Sequence, residues 1–514
     1  MTGDSSILRC AKRVGLVIAL VSHGAWAAEG APRGAEAPPL REGRWVATYE
    51  SWQLPAGETM GMVGGRMLWG LGDGWHAGPA TYGAVRGQRG GFITLGLEAE
   101  RQWTLGAGWT ANAGVFVGGG GGRGGLELAG GGLMLRTHVG LDWAFTPRDR
   151  LGVGLSHVRF PSEGAIRSTQ PYLRYEHRFD AALTLGWSSQ APANWAPLAW
   201  KEHGLALRWR RMKPDASSSR VEGGRVQQFD LLGVAWTAHP WGDGRWLGLA
   251  ADGALGGGSA GYMQILAQAG WRQNLGSGAH GGLWVAAGPA GGGGVDTGGG
   301  LLTEIGVGFA QRIHRDWLVE VGWVRQRAPG GRFDADGWQV GLRYQPGVSG
   351  ETGTDWTGRP LRVRALHQTY RGQNRAWRSF DADEAVQLAG LAVDAVIGRA
   401  PGGAFGYVTG QGVAAHTGRA GAYMAGLVGA GVSVPLAQRW SLEAEGLFGA
   451  AGGGGLRTGG GLVGQWQVGL GWRLGRHWSA TLSAGQLRAF NGDLRARLVG
   501  VALTYDATAW VPGR

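Results

Sequence analysis

Arg136, Arg174, Arg343 and Arg473 each fall on the less apolar phase of a strictly alternating segment. Where that phase lines a lumen, they form a positive wall. Rings or ladders of arginine favour anions, because the planar guanidinium fork pairs with carboxylates and phosphates. Asp142, Glu176, Glu304 and Glu320 share the phase, so the competing expectation is a set of salt-bridge ladders that neutralises the wall, or arginines holding lipopolysaccharide phosphates at a rim. Metal chemistry has little to stand on. The 12 histidines are scattered without a pair at ligand spacing, and the only cysteine, Cys10, lies near the N-terminus. No metal or cofactor is expected. The net charge of +12 would suit nucleic acid, but no Lys/Arg-rich block accompanies it.

The second candidate is a glycine block that recurs. GGGGVDTGGGL spans Gly291–Leu301, GGGGLRTGGGL spans Gly452–Leu462, and a looser RGGLELAGGGL spans Arg123–Leu133. A nucleotide loop needs a Lys or a ribose-binding acid after such glycines, and a strand before and a helix behind. Neither the Lys nor a helix pattern follows here. The blocks read instead as outer loops or strand tips with a shared geometric need, a close approach of strands or a sharp bend. From each closing leucine a tyrosine lies 42 or 43 residues on (Tyr175, Tyr344, Tyr505), and the leucines are 168 and 161 residues apart. One unit of about 165 residues is therefore used three times, longer than any solenoid motif. The repeats are assigned to 44–190, 204–345 and 361–510, with linkers at 191–203 and 346–360.

The elements that must position these residues are strands. In the third repeat Leu462, Trp466, Val468, Leu470, Trp472 and Leu474 alternate with Val463, Gln465, Gln467, Gly469, Gly471 and Arg473. One face is bulky and apolar; the other carries Gly and polar groups. In the second repeat eight strands are expected at 204–213, 225–238, 245–256, 260–273, 280–288, 299–312, 316–327 and 335–345. Trp143, Phe145, Trp317, Trp338, Trp472 and Trp478 fall at strand ends, where an aromatic girdle meets lipid headgroups. The N-terminus reads as an export signal: Arg9, Lys12 and Arg13, an apolar run from Val14 to Val21, and Ala25-Trp26-Ala27 as a cleavage site. Cleavage is expected after Ala27, with a disordered leader at 28–43.

On this patterning and the export tag, residues 44–510 resemble bacterial outer-membrane β-barrel proteins as a class. The resemblance implies an all-β antiparallel transmembrane barrel, an outer-membrane location, contact with outer-membrane lipid and lipopolysaccharide, and assembly by the barrel machinery. Short turns face the periplasm and longer loops the exterior. The terminal signal departs from the class, since Trp510 is followed by Val-Pro-Gly-Arg. The hairpin Leu155–Phe179, with His157 and Glu163, also resembles in layout the final hairpin of lipid A deacylases. That family has His-x-Ser, whereas Arg159 stands at the Ser position, so no enzyme is expected and a lipid-modifying outer-membrane enzyme is only a distant alternative. Two architectures remain open: one barrel of about 24 strands, slightly favoured, or three tandem barrels of about eight. The wide barrel implies a channel or export pore for anionic solutes or an acidic polymer. Three small barrels imply a non-conducting surface, adhesion or envelope-structural protein.

Overall fold

The computed structural model describes residues 41–181, 183–188, 203–239, 241, 243–346, 356–372, 374–377 and 385–512. The expected signal peptide, Cys10, nearly all of the leader and most of both linkers lie outside them.

The first repeat forms β1 (Arg41–Gln53), β2 (Thr59–Gly72), β3 (Trp75–Arg86), β4 (Ile93–Gly106), β5 (Trp109–Gly121), β6 (Met134–Ala144), β7 (Asp149–Arg159) and β8 (Arg167–Ala181). A short β9 (Leu183–Leu185) follows. The second comprises β10 (His203–Pro214), β11 (Phe229–Ala238), β12 (Arg245–Gly256), β13 (Met263–Gly276), β14 (Ala279–Gly291), β15 (Leu301–His314), β16 (Trp317–Arg327) and β17 (Asp334–Tyr344). The third comprises β18 (Trp356–Gly372), β19 (Ala385–Arg399), β20 (Phe405–Thr417), β21 (Met424–Pro435), β22 (Trp440–Gly452), β23 (Leu462–Arg473), β24 (Trp478–Ala489) and β25 (Arg495–Pro512). The eight strands expected for the second repeat form within a few residues of the spans read from alternation.

All pairings are antiparallel between neighbours, and each repeat closes on itself. β1 pairs β8 through Gly43↔Phe179, β10 pairs β17 through Arg208↔Gly341, and β18 pairs β25 through Val363↔Tyr505. The favoured single barrel of about 24 strands is therefore corrected: among the described residues three eight-stranded sheets close separately, the third with β9 added at its edge. The physical reason lies in the first and last strand of each repeat, which satisfy each other's backbone groups and leave no edge for the next repeat. A polar, glycine-rich inner face fits a wet wide wall, but it fits a narrow filled barrel equally well. Glycines at 64, 154, 306 and 431 lie against the interior rings of Tyr82, Tyr172, Trp284 and Tyr407, where a Cβ would overlap them. Small residues opposite large ones let a small barrel fill.

The barrels pack in a ring. The third strand of each unit meets the fifth of the next: β3 against β14, β12 against β22, β20 against β5. The fourth strands β4, β13 and β21 face the common axis, where Ile93, Met424 and Ala414 are buried against Leu95, Met263 and Ile265. A head-to-tail contact that closes after three steps is a three-fold arrangement within one chain. The short β9 leaves the first barrel and pairs with β25 at Leu185↔Ala507, below the third. There the Trp510 indole donates to Thr184 Oγ1 at 3.0 Å, and Trp187 donates to the Leu361 carbonyl at 3.0 Å.

Candidate functional site: charged interiors and glycine seams

Each barrel has two interior zones. At the loop end the filling is apolar: Trp52, Phe92 and Phe160 in the first barrel, Phe229, Tyr262 and Phe333 in the second, Tyr370, Trp377 and Tyr423 in the third. Toward the short turns it is charged. Inward positions in a strand recur every second residue, so charged residues two apart project into the same interior.

In the first barrel Arg136 grips Glu50 with Nε and a terminal nitrogen at 3.1 and 3.0 Å. Arg66 pairs with Glu98 and, at 3.4 Å, with Glu100. Arg174 donates to Glu100 at 2.8 Å and reaches Asp142 at 3.4 Å and Glu176. His138 meets Glu100 at 3.2 Å. In the second barrel Arg208 chelates Asp252 at 2.8 and 2.7 Å, and Arg210 holds Glu304 at 2.8 and 2.9 Å. Trp284 and Gln326 also donate to Glu304, at 2.8 and 2.7 Å. In the third, Arg362 spans Asp394 at 2.8 Å and Glu443 at 2.7 Å, while Arg364 spans Asp394 at 2.9 Å and Glu445 at 2.6 Å. Nearly all of these side chains are buried. Bidentate and shared contacts of this kind offset the cost of taking charged groups out of water.

Of the four arginines singled out in the sequence, Arg136, Arg174 and Arg343 lie inside barrels, and each is tied to an acid. Arg343 pairs with Glu320 and donates to Thr237 at 2.7 Å. Arg473 is different: it ends β23 and is exposed at a short turn. They therefore do not form one positive wall; the salt-bridge alternative describes the three interior ones. Trp143, Phe145, Trp472 and Trp478 are exposed on the outside at the short-turn end. Trp317 is half-buried at the same end, and Trp338, 67% exposed, lies toward the loop end of β17. His157 contacts Thr169 Oγ1 at 2.7 Å through Nδ1 on the outer face of β7.

Sequence reasoning missed Glu50, Arg66, Glu98 and Glu100, and likewise the pairs Arg208/Arg210, Arg362/Arg364 and Glu443/Glu445. The signal was present, since Glu-Ala-Glu, Arg-Trp-Arg, Arg-Val-Arg and a second Glu-Ala-Glu place like charges two apart inside alternating strands. Glu98, Glu100 and His138 offer ligand atoms within 4.8 Å of one another. Arg66 and Arg174 already pair with its two carboxylates, and Arg136 stands 3.9 Å from Glu98, which argues against a cation there.

The glycine blocks sit between barrels. Gly90 N donates to Gly298 O at 2.8 Å, joining the first barrel to the second. A Cβ on Gly261 would meet Gly453, and one on Gly421 would meet Gly130, at the two other seams. Ser162 Oγ donates to His416 O at 3.0 Å across the seam of the first and third barrels. Gly293 and Gly454 hold the same φ of +57° at matching places in their blocks, a region that favours glycine. The first block differs, containing a short helix at Gly125–Ala129 where no helix was expected.

One cavity, of about 80 Å³, opens in the second barrel toward the short turns, among Arg208, Arg272, Arg343, His239, His280 and Glu320. His239 lies one residue beyond β11. Burial and the nearby Arg272 and Arg343 push its pKa down to about 3, so it is neutral.

Closed antiparallel barrels with apolar outer faces and polar interiors are the architecture of outer-membrane β-barrel proteins, and this chain has it three times. No family model matches the chain, and no curated protein matches it. Among solved structures it is distantly similar to a variant of the ferric enterobactin receptor of Pseudomonas aeruginosa, at 10% identity, covering 92% of this chain and 81% of that one, with a TM-score of 0.29. It is similar at the same distance to the siderophore receptor PirA of Acinetobacter baumannii, at 8% identity over 92% and 81% of the two chains, with a TM-score of 0.29. A likeness this loose carries neither their ligands nor their receptor role to this chain.

Proposed function

We propose that the protein resides in the bacterial outer membrane as one non-conducting unit of three filled barrels, loops outward, serving surface contact or envelope structure rather than catalysis or solute passage. The observation that carries this reading is the filling of each barrel: an apolar plug at the loop end stacked on buried arginine–carboxylate layers. Eight strands leave an interior just wide enough for side chains. The outer faces support the membrane part, since Val139, Leu155, Leu173, Ile305, Val307 and Leu482 are all more than half exposed on strands, a display that water disfavours over so wide a surface. The glycine seams make the three barrels one body.

Planar-bilayer recording of the purified mature protein tests it. Folded, inserted protein is expected to give no stepwise current; a reproducible anion-selective conductance would overturn the reading. The second reading, limited anion passage, has one observation in its favour, the basic cavity of the second barrel. It would require the Arg210–Glu304–Asp252 layer above that cavity to part, so Arg210→Ala would raise any such current.

A further inference from the structure

The three strands on the axis, β4, β13 and β21, are packed tightly at one end and open at the other. Ile93 is fully buried and Met424 nearly so at the loop end. Going toward the short turns, the facing residues become small, with Ala99, Ala269 and Ala430, and exposure climbs to 41% at Leu97, 41% at Trp271 and 49% at Val432. The three strands thus cover one another less toward the short-turn side, leaving apolar surface between the barrels there.

One cation breaks the three-fold pattern there. Arg101 lies on the outer, lipid-side phase of β4, at the position where the other units have Trp271 and Val432. Its guanidinium carbon stands 5.7 Å from the Trp75 ring and 5.4 Å from the Trp103 ring. Trp75 is its cross-strand partner. Its Nε is buried without a hydrogen-bond partner, and no ion pair ties the side chain to a described residue. Arg101 is half-buried, whereas the buried interior arginines described above each carry an acid. An unpaired guanidinium at the level of an aromatic girdle, beside this apolar surface, calls for an anion with an apolar tail.

We propose that this surface holds one glycerophospholipid of the leaflet on the short-turn side, its phosphate on Arg101 between Trp75 and Trp103, its acyl chains against Leu97, Ala267 and Val428. The proposal rests on the membrane reading above. Three forces act together: the phosphate gives the guanidinium its missing acceptor, the indoles fix the plane of the fork, and the tails cover area the barrels do not cover for each other.

Native mass spectrometry of detergent-purified protein, supplied with phosphatidylglycerol, tests it. The wild type is expected to retain one phospholipid after detergent exchange. Arg101→Gln should lower retention at least tenfold, Arg101→Lys should keep part of it, and Arg245→Gln, an exposed arginine paired with Asp243, should keep all. Equal retention by Arg101→Gln, or displacement of the lipid by millimolar inorganic phosphate, would overturn the proposal. Far-ultraviolet circular dichroism checks that each variant is folded. A chain that stays dissolved and folded without detergent would instead sink the membrane reading itself, so the two failures are distinguishable.

Discussion

The loop half and the short-turn half of each barrel are built from the same strands yet solve opposite problems. In the loop half, apolar rings fill the interior and glycines bring neighbouring barrels into backbone contact, as at Gly90–Gly298. In the short-turn half, ion pairs fill the interior and Trp143, Trp472 and Trp478 stand exposed outside. The difference separates two jobs. One half holds three barrels together by close approach, where large side chains would intrude; the other fills each barrel with ion pairs and leaves its outer face apolar and exposed. Interior charge here is paired charge, since almost every guanidinium described inside has a carboxylate beside it.

The largest expected effect comes from breaking an interior ion pair. Arg136→Ala strands Glu50 in the interior and is expected to cost about 3–5 kcal/mol of unfolding free energy, read by urea unfolding from lipid vesicles. Arg136→Met combined with Glu50→Met should recover most of that loss, since an uncompensated charge rather than a missing attraction dominates the single variant. A loss below about 1 kcal/mol in Arg136→Ala would mean that water reaches the layer, and the interior would have to be reread as wet.

A second variant pair sharpens the division along the barrel axis. Val139, on β6, is 57% exposed, and Leu474, at a short turn, is 49% exposed. Arginine at Val139 should cost about 2–4 kcal/mol and at Leu474 about 0–1 kcal/mol, if mid-strand and turn differ in depth as barrel-spanning proteins require. Equal, small effects at both sites would contradict the membrane placement.

How much of this was legible beforehand differs between the two halves. The strands were legible because alternation is a local property: β10 to β17 follow from hydrophobic phase alone. The glycine blocks announced a close approach, and the seams at Gly91–Gly292 and Gly261–Gly453 are that approach. Which strands closed on which was not legible, because β1 and β8 pair across more than a hundred intervening residues and nothing in either strand names its partner. For the same reason Arg136 read as a wall residue: its phase was visible, but Glu50, 86 residues away, was not. Arg101 was hidden by its position on a face assigned to lipid.

The seams themselves predict a smaller effect than the charged layers. Gly421→Val would push a side chain into Gly130 across the contact between the first and third barrels, an overpacking worth about 1–3 kcal/mol. Spin-label distances between those two barrels should broaden while the interior pairs keep their protection from hydrogen exchange. Loss of both together would mean that the halves are not separable.

The smallest expected effect lies at the mouth of the second barrel. His239 is neutral in the folded protein because burial and two arginines hold its pKa at about 3, against 6.5 when exposed. Between those values the unfolded chain binds a proton that the folded one refuses, so stability falls as pH drops through this window and is fully restored above 6.5. The slope from this one group is at most about 1.4 kcal/mol per pH unit. His239→Gln should flatten the pH dependence of urea unfolding between pH 6.5 and about 5 without changing stability at pH 8. An unchanged slope would place water and a proton beside Arg272 and Arg343, and would make the short-turn mouth of this barrel more open than its charged layers imply.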